Sequence, residues 1–464
     1  MYRPAAWSWL LPAVIACVSS MSLAQTTAPS ADAAMSQQQM LERMQDLQSQ
    51  VKDLRNRLDQ VQPTTQPAAT AQVEPPVQNK VHQPPILNAG YSLDKGFYIR
   101  TDDGRFLLHP WVFLQARDAY TYRSIDTSNV HDGENGLELP RAKFIVDGNA
   151  FSPDLTYQFI WATSDQTGNL GLQDAWGRYH IPGTPLAVEG GNIRDPVDHE
   201  QILFATRTLT PERSLVNNVL LNGDDIVKGA ELAAGYDTPS SLRGEVAFTS
   251  GERNFDTTFQ TYPTNPASWG VAGRVEWKLM GDFKDYDQFT SLDDKEALLV
   301  IGGGADYTEG GSTAGLTHVL DAQYNLPCGL SLYAAYLGRY VRHDAGNPAT
   351  DGTPASTAAV FASADTYDAT ARFMAAYLIQ DRFEPFVRYE YLHLDSREFT
   401  APTNNDISDI TVGFNYYFYG HRAKATFGAS YLPQGSPFAS TLGDVLTTHR
   451  GQEFVIQSQV QLIF

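Results

Sequence analysis

Hydrophobic and polar residues alternate in runs of roughly ten along most of this chain, and the closing stretch shows the pattern most cleanly. In E-F-V-I-Q-S-Q-V-Q-L-I-F, Phe454, Ile456, Ser458, Val460, Leu462 and Phe464 fall on one face of an extended chain. Val455, Gln457, Gln459, Gln461 and Ile463 fall on the other. Successive strand side chains point to opposite faces, so one face is mostly apolar and the other is lined with glutamine. A strand between lipid and a watery lumen needs this division, and the aromatic last residue, Phe464, is read as an assembly signal.

The same texture runs from Gly96 onward. In Arg141 to Phe151, Ala142, Phe144, Val146 and Ala150 oppose Arg141, Lys143, Asp147 and Asn149. In Val271 to Leu279, Val271, Gly273, Val275 and Trp277 oppose Ala272, Arg274, Glu276 and Lys278. Tight turns are expected at Ser152-Pro153-Asp154, Pro182 to Pro185 and Gly420-His421-Arg422. Long connections are expected at Arg123 to Leu139 and Ile193 to Asp225, and a small periplasmic segment at Gly281 to Asp294. The runs make about sixteen strands, at about 23 residues per strand with its connection, which suits tilted spans of about 9–11 residues. The predicted fold is an all-β transmembrane barrel of antiparallel strands over residues 96–464. It must close, because a sheet edge in lipid would leave backbone groups unpaired.

The N-terminal part follows other periods. Residues 1–24 read as a signal peptide, with Arg3, an apolar run from Trp7 to Val18, and Ser22-Leu23-Ala24 as the cleavage site. Val14-Ile15-Ala16-Cys17 is a competing lipoprotein-like site, with Cys17 acylated. Residues 25–62 hold a flexible lead and a seam of Met40, Met44, Leu47, Val51, Leu54, Leu58 and Val61 at alternating spacings of four and three. That is a heptad repeat and predicts a short periplasmic coiled-coil helix; a single amphipathic helix packed on its own domain is the alternative. Residues 63–95, with Pro63, Pro67, Pro75, Pro76, Pro84 and Pro85, read as a stiff linker.

The net charge of −20 argues against a nucleic-acid partner. No run after the N-terminus has the roughly 20 apolar residues of a membrane helix. The lone thiol left after export, Cys328, has no partner for a disulfide. Neither Gly-x-Ser-x-Gly nor His-Glu-x-x-His occurs, and the ten histidines show no metal spacing. No enzyme activity, cofactor or metal is expected. Gly302-Gly303-Gly304 lacks a following Gly-Lys-Ser/Thr, so it is read as glycines that let strands pack or bend.

Taking the arginine-bearing face of each run as inward gives Arg117, Arg141, Lys143, Arg178, Arg243, Arg274, Lys278, Arg339, Arg372, Arg388 and Lys424 as lumen-lining bases. Inward acids on the same reckoning are Asp147, Asp174, Glu245, Glu276, Glu390 and Asp409, leaving a modest basic excess. Arg194, Arg207 and Arg213 lie in the long connection with Asp195 and Glu212. Either they ring a constriction that favours anions, or they pair with Asp195, Asp198, Glu200 and Glu212 and hold the loop's shape.

Gly190-Gly191-Asn192-Ile193-Arg194-Asp195-Pro196, with Glu200, Thr206 and Glu212-Arg213, resembles the G-Q-x-K-x-P stretch and later Glu-Arg of the phosphate-selective porins, the O and P porins. Gly413-Phe414-Asn415-Tyr416-Tyr417-Phe418 is similar to that family's G-x-N-W-Y-L stretch. Asn192 and Arg194 depart from its Gln and Lys. The resemblance implies a homotrimeric, sixteen-stranded porin of the bacterial outer membrane whose third outward loop folds into the channel. It implies passive diffusion of small hydrophilic solutes, with outer-membrane lipid, other copies of the chain and small anions as partners. The alternative is a structural protein that tethers the envelope and uses the barrel as an anchor.

Overall fold

The computed structural model describes residues 49–50, 52, 86–92, 96–124, 131–163, 168–221, 226–236, 238–252, 268–310, 313–343, 365–396, 405–435, 445 and 451–464. Residues 1–82 form a separate unit, of which Ser49, Gln50 and Lys52 are described and helical. The expected signal peptide, the seam residues and the proline run from Pro63 to Pro85 lie outside the described residues.

The second unit is one antiparallel sheet. It opens with β1 (Leu87–Ser92), β2 (Gly96–Thr101), β3 (Leu107–Ser124) and β4 (His131–Asn149). β5 (Leu155–Thr163), β6 (Leu170–His180), β7 (Leu186–Arg194), β8 (Ile226–Ala234) and β9 (Leu242–Thr249) follow. Then come β10 (Trp269–Met280), β11 (Leu298–Glu309), β12 (Thr313–Asn325), β13 (Leu330–His343) and β14 (Thr366–Tyr377). β15 (Phe383–His393), β16 (Asp406–Tyr419), β17 (Ala423–Leu432) and β18 (Glu453–Ile463) complete it.

From β3 each strand pairs with the next, and β18 pairs back onto β3 from Glu453↔Arg123 to Ile463↔Phe113. Of the eighteen strands among the described residues, β1 and β2 form an appended hairpin, so the closed barrel has sixteen. Closure leaves the sixteen-strand cylinder without a free edge in lipid. The C-terminus takes part directly: Phe464 exchanges both backbone hydrogen bonds with Val112, at 2.7 and 3.1 Å.

The alternation expected from sequence sorts the two faces. Leu232, Val246, Phe248, Val275, Leu320, Phe373, Val412 and Val460 are exposed on the outer wall. Gln457, Gln459 and Gln461 are buried inside. Trp269, Tyr340, Tyr367 and Tyr391 lie near strand ends at the rim with long connections, and Trp277, Tyr377, Phe383 and Phe418 near the rim with short turns.

Three boundaries differ from expectation. β1 begins at Leu87, inside the stretch read as linker, because Leu87–Ser92 pairs residue for residue with Gly96–Thr101. Arg123 to Leu139 is largely strand: β3 and β4 remain paired out to Ser124↔His131, past a register shift at Gln115/Arg117. Polar residues there oppose one another in a ladder arm, which sequence alone does not separate from a loop. Gly281 to Asp294 does not stand away from the barrel; it packs inside it, with Phe283 and Tyr286 buried.

Replacing Leu320, which is 61% exposed near the middle of β12, by Arg should cost about 2–4 kcal/mol of stability in a lipid bilayer. Equilibrium folding into vesicles measures it; an unchanged stability would contradict an outward, lipid-facing Leu320.

Candidate functional site

Among the described residues, two infolded segments occupy the interior. The first is the β7–β8 connection. It carries α1 (His199–Ile202), a 3₁₀ turn (Ala205–Arg207) and α2 (Leu215–Leu220). Asp198 caps α1 by accepting from the Gln201 N–H, and Ser214 caps α2 by accepting from the Asn217 N–H. These short polar side chains satisfy helix-start donors that the buried site would otherwise strand. The second segment joins β10 to β11 at the opposite rim and carries α3 (Phe283–Tyr286), capped by Asp282.

The connection is held by side chains from strands all around the wall. Arg274 on β10 donates to the Val197 carbonyl at 3.0 Å. Arg372 on β14 binds Asp198 at 2.8 and 3.1 Å, Glu200 at 2.5 Å and Ser214 Oγ at 2.8 Å. Arg388 on β15 donates to Thr210 Oγ1 at 2.8 Å and the Glu212 carbonyl at 3.0 Å, and Glu390 accepts from the Val216 N–H at 2.8 Å. Asn415, Lys424 and Gln461, on β16, β17 and β18, donate to the carbonyls of Leu209, Thr208 and Thr206 at 2.9, 2.8 and 3.0 Å. Across the lumen, Glu212 receives Arg117 Nη1 at 3.0 Å and also Arg141 Nη2.

Two glycines make room for this. A Cβ on Gly304 would stand 2.2 Å from the Val197 carbonyl oxygen, and one on Gly428 would stand 3.1 Å from the Pro211 ring. Apolar residues fill the rest: Val197, Leu203, Leu209, Leu215, Val216 and Leu220 share one cluster with Tyr333, Leu337, Met374, Phe386 and Leu392 of the wall. The tip residue Phe204 packs on Trp111 and Phe113, with ring centroids 5.6 and 5.8 Å apart, against the buried cluster of Phe113, Ile145, Ile160 and Ala205.

The two segments touch. The His199 ring stacks on Tyr286 at 3.8 Å, its Nε2 lies 3.1 Å from the Tyr286 carbonyl oxygen, and Phe289 meets its edge at 5.3 Å. Arg274 donates to the Tyr286 hydroxyl at 2.9 Å while also holding Val197. Arg207 donates to the Asp287 carbonyl at 3.1 Å.

The residues singled out from sequence are placed as follows. Arg194 donates to the carbonyls of Gln201, Ile202 and Leu203 at 3.2 to 3.3 Å and lies 3.6 Å from Asp174. Arg213 is buried and donates to the carbonyls of Glu200 and Leu203. Both grip the connection's own backbone. Asp195 is fully buried, Glu212 bridges Arg117 and Arg141, and Arg207 alone of the three arginines is exposed. Arg117, Arg141, Lys143, Arg178, Arg243, Arg274, Lys278, Arg388 and Lys424 occupy inward positions. Lys143 lies 5.6 Å over the Phe204 ring, Lys278 lies 5.0 Å over Phe283, and Arg178 pairs with Glu189 at 2.6 Å and Glu231 at 3.1 Å.

Sequence reading missed several inward acids: Glu189, Glu231, Asp321 and Glu384 are all buried. With them the inward acids named number ten against eleven bases, so the basic excess expected from sequence narrows to almost nothing. The alternation that placed Arg178 inward could have found them. The His199–Tyr286 contact has no local signal, since 87 positions separate the two.

Burial alone would raise the Glu212 carboxyl, but Arg141 and Arg117 outweigh it and hold it down to about 2. Burial pushes the His199 imidazole down to about 3. Burial pushes Asp294, in the second infolded segment, up to about 7. Among the described residues no group of His, Cys, Asp or Glu is arranged to hold a metal ion.

No protein-family model and no curated protein matches the sequence. The anion-selective porin from Comamonas acidovorans matches in fold, with a TM-score of 0.51 at 13% identity over 77% of this chain and 99% of that one. OmpF of Salmonella typhi, in complex with daunomycin, matches with a TM-score of 0.50 at 12% identity, over 78% and 99%. At these identities the likeness is one of fold.

Two outcomes follow. Arg372→Met leaves Asp198 and Glu200 buried without the guanidinium that binds them both, and breaking such a pair costs about 3–5 kcal/mol. The melting temperature of the barrel should drop by many degrees, and an unchanged value would show the pairing to be idle. The second concerns acid. His199 stays neutral in the fold down to about 3 but gains a proton near 6.5 when unfolded, so its contribution is lost as pH falls through that window. Glu212 adds loss in the same direction below 4.5, while Asp294 opposes it between 7 and 3.8. His199→Phe should therefore flatten the fall in melting temperature between pH 6.5 and 4.5; parallel curves would refute a buried neutral ring.

Proposed function

We propose that the chain is an outer-membrane porin: a narrow, water-filled route for passive diffusion of small hydrophilic solutes. The observation that carries this reading is the chemistry of the barrel interior. A barrel serving only as an anchor gains most from an apolar filling, since replacing buried ion pairs by packed hydrophobic groups is often neutral or stabilising. This wall instead keeps Arg141, Arg178 and Arg243, partly open to the interior, each with a carboxylate. Such a lining serves passage of polar solutes.

Weak anion preference is part of the proposal, and it rests on Arg207. Arg194 and Arg213 hold the connection together, whereas Arg207 is exposed beside the second infolded segment. The resemblance to phosphate-selective porins and the fold of an anion-selective porin point the same way. Assembly as a homotrimer in outer-membrane lipid, with the short-turn rim facing the periplasm, completes the reading.

A second reading has its own support. Arg274, Arg372 and Lys424 are almost wholly shielded from solvent, which suits a barrel filled to act as an anchor for an envelope tether.

Planar-bilayer recording separates the two. Steady single-channel conductance with reversal potentials favouring anions in a salt gradient is expected. Arg207→Gln should lower the anion-to-cation permeability ratio by roughly twofold. Absence of conductance would favour the anchor, and cation preference would end the anion proposal.

A further inference from the structure

The β1–β2 hairpin extends the barrel wall at the short-turn rim, where β2 pairs with the start of β3 through Ile99↔Leu108 and Arg100↔Leu107. Residues directly opposite in an antiparallel pair share a face. Tyr98 and Arg100 therefore lie on the same, inward face as Leu107 and His109. Between that face, Asn149 at the end of β4 and Arg422 of the β16–β17 turn lies a cavity of about 680 Å³. Its size is within the range of sites that enclose small molecules.

We propose that this cavity binds an amphipathic organic anion, a carboxylate or phosphate monoester carried on an aromatic or aliphatic body. Three basic side chains, Arg100, Arg422 and His109, line it in a chain whose net charge is −20. Arg100 differs from the wall arginines above it: among the described residues it faces an aromatic ring, Tyr98, at 5.5 Å, and no carboxylate. His109 is oriented from behind. Its Nδ1 lies 2.9 Å from Asp147, which also accepts from the Trp111 indole at 2.7 Å. Nε2 is thereby left toward the hairpin, 3.4 Å from where a Cβ on Gly96 would stand. Phe106, Leu107 and Tyr98 supply an apolar lining for the ligand's body, and Tyr98 lies flat because Gly90 beneath it has no side chain. The anion ends on the guanidinium groups and the body on the rings.

The site does not depend on whether the barrel conducts, and its test reads binding rather than current. The full-length protein, folded in detergent, is titrated calorimetrically with benzoate, benzyl alcohol and inorganic phosphate. Saturable benzoate binding is expected, with each of the other two probes at least tenfold weaker. Arg100→Gln and Arg422→Gln should each weaken benzoate at least tenfold, while Arg382→Gln, on the exposed β14–β15 turn, should not change it. Benzoate binding that fails to saturate, is matched by phosphate or benzyl alcohol, or survives both cavity substitutions would overturn the proposal. Unchanged melting temperatures in the variants exclude misfolding as the cause of a loss.

Discussion

Everything in the second unit depends on one pairing, that of the last strand with the first strand of the cylinder. While β18 lacks β3, two rows of amides and carbonyls face outward without partners, a cost that lipid does not forgive. Once Glu453 to Ile463 lies along Phe113 to Arg123, the outer surface can be apolar without a seam. The inner surface is then a separate problem, with its own chemistry.

That problem is solved by charge paired across distance. A sixteen-strand cylinder is too wide for its own side chains to meet across the middle. The protein brings main chain inside, gives its carbonyls and carboxylates to the wall's arginines, lysine and amides, and donates the Val216 N–H to the wall's Glu390. Arg372 shows the economy of this. One guanidinium satisfies Asp198, Glu200, the cap residue Ser214 and the Tyr333 hydroxyl. Since Asp198 and Ser214 also start the two short helices, the contact that docks the connection is the contact that shapes it.

The cylinder was legible because its defining property is periodic. Val455, Gln457, Gln459 and Gln461 alternate with Phe454, Ile456 and Val460 in the chain just as they divide inside from outside. Phase alone puts Arg178, Arg372 and Arg388 on the inward-facing side of their strands, and applied evenly it puts Asp321 and Glu384 there as well. The interior was less legible, because its contacts join residues with no shared period. By charge Arg194 and Arg213 read equally as pore groups or as loop-holding partners of nearby acids; they face carbonyls of their own segment, and carbonyls leave no trace in composition. The motif residues Asn415 and Glu212 carried a usable hint, as both hold the infolded segment.

Gln461 sits on the closing strand and holds Thr206, 255 positions earlier in the chain; Arg372 reaches back 174 positions to Asp198. A segment synthesised near the middle thus has to wait, unclasped, for partners near the end. Zipping shut the cylinder and seating its contents become a single late event, with a search cost set by sequence separation. A nascent copy halted before β14 would carry its acidic middle segment with the bases of β14 to β18 still missing.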